Sequence, residues 1–91
     1  MENNKKRAPI YGAQTKLKSV RLASGLTQKE VAERASLSTA QYAQYEQGFR
    51  SIDGCKLITL LRLCKALECN LVDIVESPEL IELLTLNQFN Y

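Results

Sequence analysis

Residues 27–48 read TQKEVAERASLSTAQYAQYEQG, and two helix starts are written into this one stretch. At the first, the Thr27 hydroxyl can accept from the backbone N–H of Glu30 while the Glu30 carboxylate reaches back to the Thr27 N–H, a capping box. Ser38 and Gln41 repeat the device a short way on. Val31, Ala32 and Ala35 fall on the inner face of the first of these helices, and Tyr42 and Tyr45 on the inner face of the second. Gly48 supplies the left-handed residue that ends it. Only Ser36-Leu37-Ser38 is left to make the turn. Ala32 and Ala35 are small enough for a close helix crossing, and Leu37 is placed to dip into the core and fix the angle. The second helix is thereby turned outward at its N-terminal half, where Thr39, Ala40, Gln41 and Gln44 are small or polar. Short side chains that offer hydrogen bonds and methyl groups are the kind that read base edges in a major groove.

Ahead of this stretch a helix is expected from about Gln14 to Ser24, with Leu17 and Val20 inward and Gly25 as its stop. No segment shows the sustained alternation of a half-buried strand, and Pro9 and Pro78 lie near the two ends. The fold class is all-α. Beyond the central helices, Ser77 as cap, Pro78 at the first helical position and Glu79 in the first turn announce another helix over about 79–86. Leu80, Ile81, Leu83, Leu84 and Leu86 make it apolar over more than one face. Two readings stay open for it: a dimer contact, or a helix folded back over the first and fifth helices with Phe89 or Tyr91 closing the core.

A chain of 91 residues that is 45% hydrophobic and 24% charged builds one core. The expected division is a basic tail at 1–12, a domain at 13–76 and a C-terminal helix and tail at 77–91. The net charge of +2 hides a gradient. Residues 1–22 carry six basic side chains against Glu2, and residues 51–91 carry three basic against six acidic. That suits a molecule with one face toward a polyanion, and a solvated basic tail made by Lys5, Lys6 and Arg7 gives the same count. No run reaches the roughly eighteen apolar residues of a membrane span, and the start shows no secretory signal, so a cytoplasmic protein is expected. Cys55, Cys64 and Cys69, with no histidine in the chain, match no zinc spacing and read as reduced, inert thiols. No metal, cofactor or enzymatic activity is expected, because the chain lacks a phosphate loop and a nucleophile motif.

From Leu17 to Ile74 the chain resembles the Cro/repressor-type, or XRE, helix-turn-helix family. The residues that carry the resemblance are L-K-x-x-R at 17–21, G-L-T-Q-K-E-V-A at 25–32, S-L-S at 36–38, Y-E-Q-G at 45–48 and L-C-K-A-L-E-C-N-L-V-D-I at 63–74. The resemblance implies a compact five-helix, lambda repressor-like domain with the motif in helices two and three, here followed by a sixth helix. It places Gln28 at a DNA phosphate, Thr39, Ala40 and Gln44 at base edges, and Ser38 and Gln41 near the backbone or neighbouring edges. Gln44 has the groups for a bidentate pair with adenine. Arg21 and Glu46 match a buried salt bridge between helices one and three. The implied partner is double-stranded DNA, at a palindromic operator bound by a homodimer, and the implied role is a transcriptional repressor of a bacterial, prophage or mobile-element promoter.

The chain departs from that pattern in places. Ser36 stands where the family usually has glycine, so it is expected to take a positive φ. The stretch between Glu46 and Leu67 is longer than usual and lacks the customary proline, so either helix four starts early with Asp53 as cap or the loop bulges. Arg50 in this loop is read as a phosphate contact, and for Lys56 contact and plain surface charge stand as equal alternatives. Tyr42 and Tyr45 are assigned to packing, not to base stacking. Two other functions remain open: an antitoxin or restriction-modification controller with a protein partner, and a protein-interaction module of the same fold that has lost DNA binding.

Overall fold

The structure, a computed structural model, describes residues 14–88. Its helices are α1 (Lys16–Ser24), α2 (Gln28–Arg34), α3 (Thr39–Gln47), α4 (Leu57–Leu67), α5 (Leu71–Ile74) and α6 (Pro78–Gln88), with no strand among the described residues. The predicted basic tail, with Lys5, Lys6 and Arg7, lies outside the described residues, as do Phe89 and Tyr91.

Local chemistry sets most of the boundaries. The first helix begins at Lys16 and not at Gln14, because Thr15 is its N-cap and accepts from the Lys18 N–H at 3.2 Å. The same hydroxyl donates to the Glu46 carbonyl at 2.9 Å and so ties the start of α1 to the end of α3. Gly25 and Gly48, at φ 78° and 83°, close α1 and α3 in the left-handed region that only glycine enters without strain. Both capping boxes form: Glu30 N–H to Thr27 Oγ1 is 3.1 Å and Thr27 N–H to Glu30 Oε1 is 2.8 Å. Gln41 N–H to Ser38 Oγ is 3.0 Å, with Ser38 N–H to Gln41 Oε1 at 3.1 Å.

Between the boxes the chain makes a Schellman turn. Leu37 N–H reaches back to the Ala32 carbonyl at 2.8 Å, Ser36 N–H reaches Glu33 at 3.2 Å, and Ser36 sits at φ 61°. Leu37 packs against the core, and Ala32 and Ala35 are fully buried where α2 and α3 meet. A second turn of the same kind ends α4, with Glu68 at φ 55° and Cys69 N–H on the Cys64 carbonyl at 3.0 Å. The side chains at the two positions that usually make a hydrophobic contact across such a turn are here Cys64 and Cys69, whose thiols meet.

Asp53 does not cap helix four. The helix starts at Leu57 with Lys56 in the cap position and no side-chain bond there, while Asp53 Oδ1 accepts the Glu76 N–H at 2.8 Å, binding the loop to the far end of the domain. Of the two alternatives the bulging loop is the one that forms. It turns through Gly54 N–H to Ser51 and Cys55 N–H to Ile52, and it drops Ile52 into the core. Tyr42, Leu17, Leu63, Ile74, Val31 and Val75 are the largest fully buried side chains, so every helix from α1 to α5 contributes, and Val75 adds to the core just beyond α5. Helix α6, capped by Ser77 as expected, rests chiefly on α5. Leu80, Ile81 and Leu84 are half-buried there, while Leu83 and Leu86 are exposed.

Candidate nucleic-acid interface

The helix-turn-helix is mounted on one buried carboxylate. Glu46, on the inner side of α3, is 3% exposed and accepts four hydrogen bonds. They come from Arg21 Nε, from Arg21 Nη2 at 3.2 Å, from the Tyr42 hydroxyl at 2.6 Å and from Gln28 Nε2 at 3.0 Å. Arg21 Nη1 also donates to the Leu26 carbonyl at 3.0 Å. One cluster thus binds α1, the start of α2 and α3. Burial alone works against the charged Glu46, yet the bonds from Arg21, Tyr42 and Gln28 outweigh it and hold its carboxyl below the usual range. The bond to Glu46 raises the Arg21 guanidinium above its ordinary value, and burial, then Glu46, pushes the Tyr42 phenol far up. The salt bridge implied by the resemblance is present, and it is structural.

On the other side of α3, Ser38, Thr39, Ala40, Gln41 and Gln44 are all exposed. Their polar atoms are not equally available. Gln41 spends its carbonyl on the Ser38 cap, leaving its NH₂ group outward. Gln44 Oε1 accepts from Arg50 Nε at 2.6 Å, and the Arg50 backbone N–H returns to the Gln44 carbonyl at 3.2 Å. Arg50, though exposed, therefore lies against the outer face of α3 at Gln44. Spacing along the chain signals neither this clamp nor the bond that commits one Gln28 amide N–H to Glu46. Lys56 is exposed in the N-cap position of α4.

Tyr42 is fully buried and unavailable for stacking on bases, and Tyr45 is half-buried with its hydroxyl between Cys55 and Arg50. All three cysteines are free. Burial pushes each thiol up, Cys69 to about 12, so thiolate is scarce at neutral pH, in keeping with inert thiols. Among the described residues no cluster could hold a metal ion, and no helix is long and apolar enough to cross a membrane.

A family model described as helix-turn-helix, of XRE type, matches residues 17–74. The chain belongs to this family. No curated protein matches it. The fold is the all-helical, lambda repressor-like one, and the XRE-type domain makes the protein a DNA-binding transcription regulator that takes double-stranded DNA. The match runs from the first buried residue of α1 to the end of α5, so α6 lies beyond it.

Proposed function

We propose that the protein is a sequence-specific cytoplasmic repressor that binds a palindromic operator as a homodimer and blocks a bacterial, prophage or mobile-element promoter. The observation that carries this reading is the pairing of a rigid mount at Glu46 with an exposed outer face on α3 made of small and uncharged polar side chains. A recognition helix held from behind by a buried network delivers its outer side chains in one geometry, and hydrogen bonds to base edges demand that. Thr39 supplies a hydroxyl and a methyl group, Ala40 a methyl group suited to thymine, and Gln44 an amide. Ser38 and Gln41, at the N-terminus of α3, lie nearest the DNA backbone. Gln28 keeps a second amide N–H for a phosphate after serving Glu46, and the exposed Arg50 guanidinium, held by Gln44 and Tyr45, stands beside α3 as a second phosphate contact. The role is regulatory and involves no catalysis.

The test is selection from a pool of random duplexes by wild-type and Gln44→Ala protein at two salt concentrations. Enrichment of a two-fold symmetric site, relaxed at one base pair per half-site in the variant, supports the reading. The relaxation should correspond to about 1–3 kcal/mol of lost discrimination. Weak, salt-sensitive binding without enrichment would instead favour a protein-interaction module or an antitoxin whose main partner is another protein.

A further inference from the structure

Helices α4 and α6 are both 11 residues long, and each shows a divided outer face. On α4 the N-terminal half exposes Leu57, Ile58 and Leu61, at 61%, 52% and 47%, and the C-terminal half exposes Arg62 and Lys65. On α6 the order of chemistry is reversed. Its first half exposes Glu79 and Glu82, and its second half exposes Leu83 and Leu86 at 48% and 52%. Glu79, Glu82, Leu83 and Leu86 follow the i, i+3, i+4, i+7 spacing of a single stripe. Leu80, Ile81 and Leu84, which seat α6 on α5, lie on the opposite side, so the stripe faces away from its own domain. None of the four charged side chains has an ion-pair partner among the described residues.

We propose that these two faces meet between two copies of the chain, α6 of each copy lying antiparallel along α4 of the other. Antiparallel alignment sets Leu83 and Leu86 on Leu57, Ile58 and Leu61, and it sets Glu79 and Glu82 on Lys65 and Arg62. Parallel alignment would press the leucines onto the basic residues and strand the glutamates over apolar surface. The antiparallel arrangement also opposes the two helix dipoles. A second copy is the occupant because the chain carries both halves of the match. Under a two-fold axis each α6 finds the other copy's α4, the contact is made twice, and the assembly closes at two. This inference rests on the homodimer reading above and assigns it a surface.

Two double variants test it: Glu79→Lys with Glu82→Lys, and Arg62→Glu with Lys65→Glu. Sedimentation is run on wild type, on each variant and on their equimolar mixture, with circular dichroism as a check on helix content. Wild type is expected to dimerise, and each variant alone to dimerise at least about tenfold more weakly, because like charges then face each other at both contacts. The mixture is expected to regain the wild-type dimer, since reversed α6 meets reversed α4 and the two untouched faces meet each other. Such rescue cannot come from a helix that its own substitution has melted. A monomeric wild type overturns both the dimer reading and this assignment. A dimeric wild type whose variants dimerise equally well, or whose mixture shows no rescue, overturns the assignment alone.

Discussion

Glu46 is the residue on which the recognition helix depends, and its energetics can be tested directly. Its partner Arg21 is nearly buried as well, with 12% of the side chain exposed against 1% for Glu46. Replacing Arg21 by Met would leave a carboxylate in the interior with its strongest donor gone, and stability should fall by about 3 kcal/mol or more in urea titration. The pH dependence follows from the lowered Glu46 pKa. The unfolded chain holds this proton near the ordinary carboxylate value of 4.5 and the folded chain gives it up lower, so its contribution is complete above about pH 5. It disappears as pH falls through the folded value, and Glu46→Gln should flatten that part of the acid unfolding curve. Arg50 carries a different consequence. While it holds Gln44 Oε1, Gln44 offers only N–H groups, which suits an acceptor such as guanine O6 or N7 and defeats the bidentate pair with adenine expected from the residue type alone. Arg50→Ala should therefore shift the selected base at that position toward adenine. It should also lower the salt slope of binding by about one unit if an Nη group meets a phosphate.

At the scale of elements, the turn between α2 and α3 is two motifs fused: a Schellman turn that ends one helix and a capping box that starts the next. Their join is Ser36, a non-glycine residue at φ 61°. The left-handed region costs such a residue about 1–2 kcal/mol, and glycine brings back roughly 0.5–1 kcal/mol of chain entropy. Ser36→Gly should then stabilise the fold by about 0.5–1 kcal/mol in thermal unfolding, with the recognition helix unmoved. Thr27→Ala should do the reverse and cost about 1 kcal/mol, because it removes the oxygen that accepts the Glu30 N–H. Helix four shows where element reading fails. Asp53 followed by an apolar run looks like a cap, but its carboxylate is taken by the Glu76 N–H, and the chain waits until Leu57 to turn helical. Ile52, buried from within the loop, anchors that delay.

At the scale of the whole molecule, the matched domain ends at Ile74, Val75 just beyond it completes the core, and α6 is added outside. A chain ending after Ser77 should keep the circular dichroism of its first five helices while losing affinity for a symmetric site, because the proposed contact to the second copy goes with α6. Legible along the chain were local features: both capping boxes, both glycine stops and the sixth-helix start at Ser77 and Pro78, while the positive φ of Ser36 followed from the resemblance, which has glycine there. Each of the local features is an interaction between residues three to five apart, within reach whatever the rest of the chain does. The outward face of α3 was legible for the same reason, since two fixed helices and a short turn leave few crossings. The grip of Arg50 on Gln44, the sharing of Gln28 with Glu46, the capture of Asp53 by Glu76 and the division of α6 into a seated and an outward face came from packing alone. These pairs are joined by the path of the loop and the packing of separate helices, where several acceptors compete for each donor. Geometry across the core, and not spacing along the chain, selects among them.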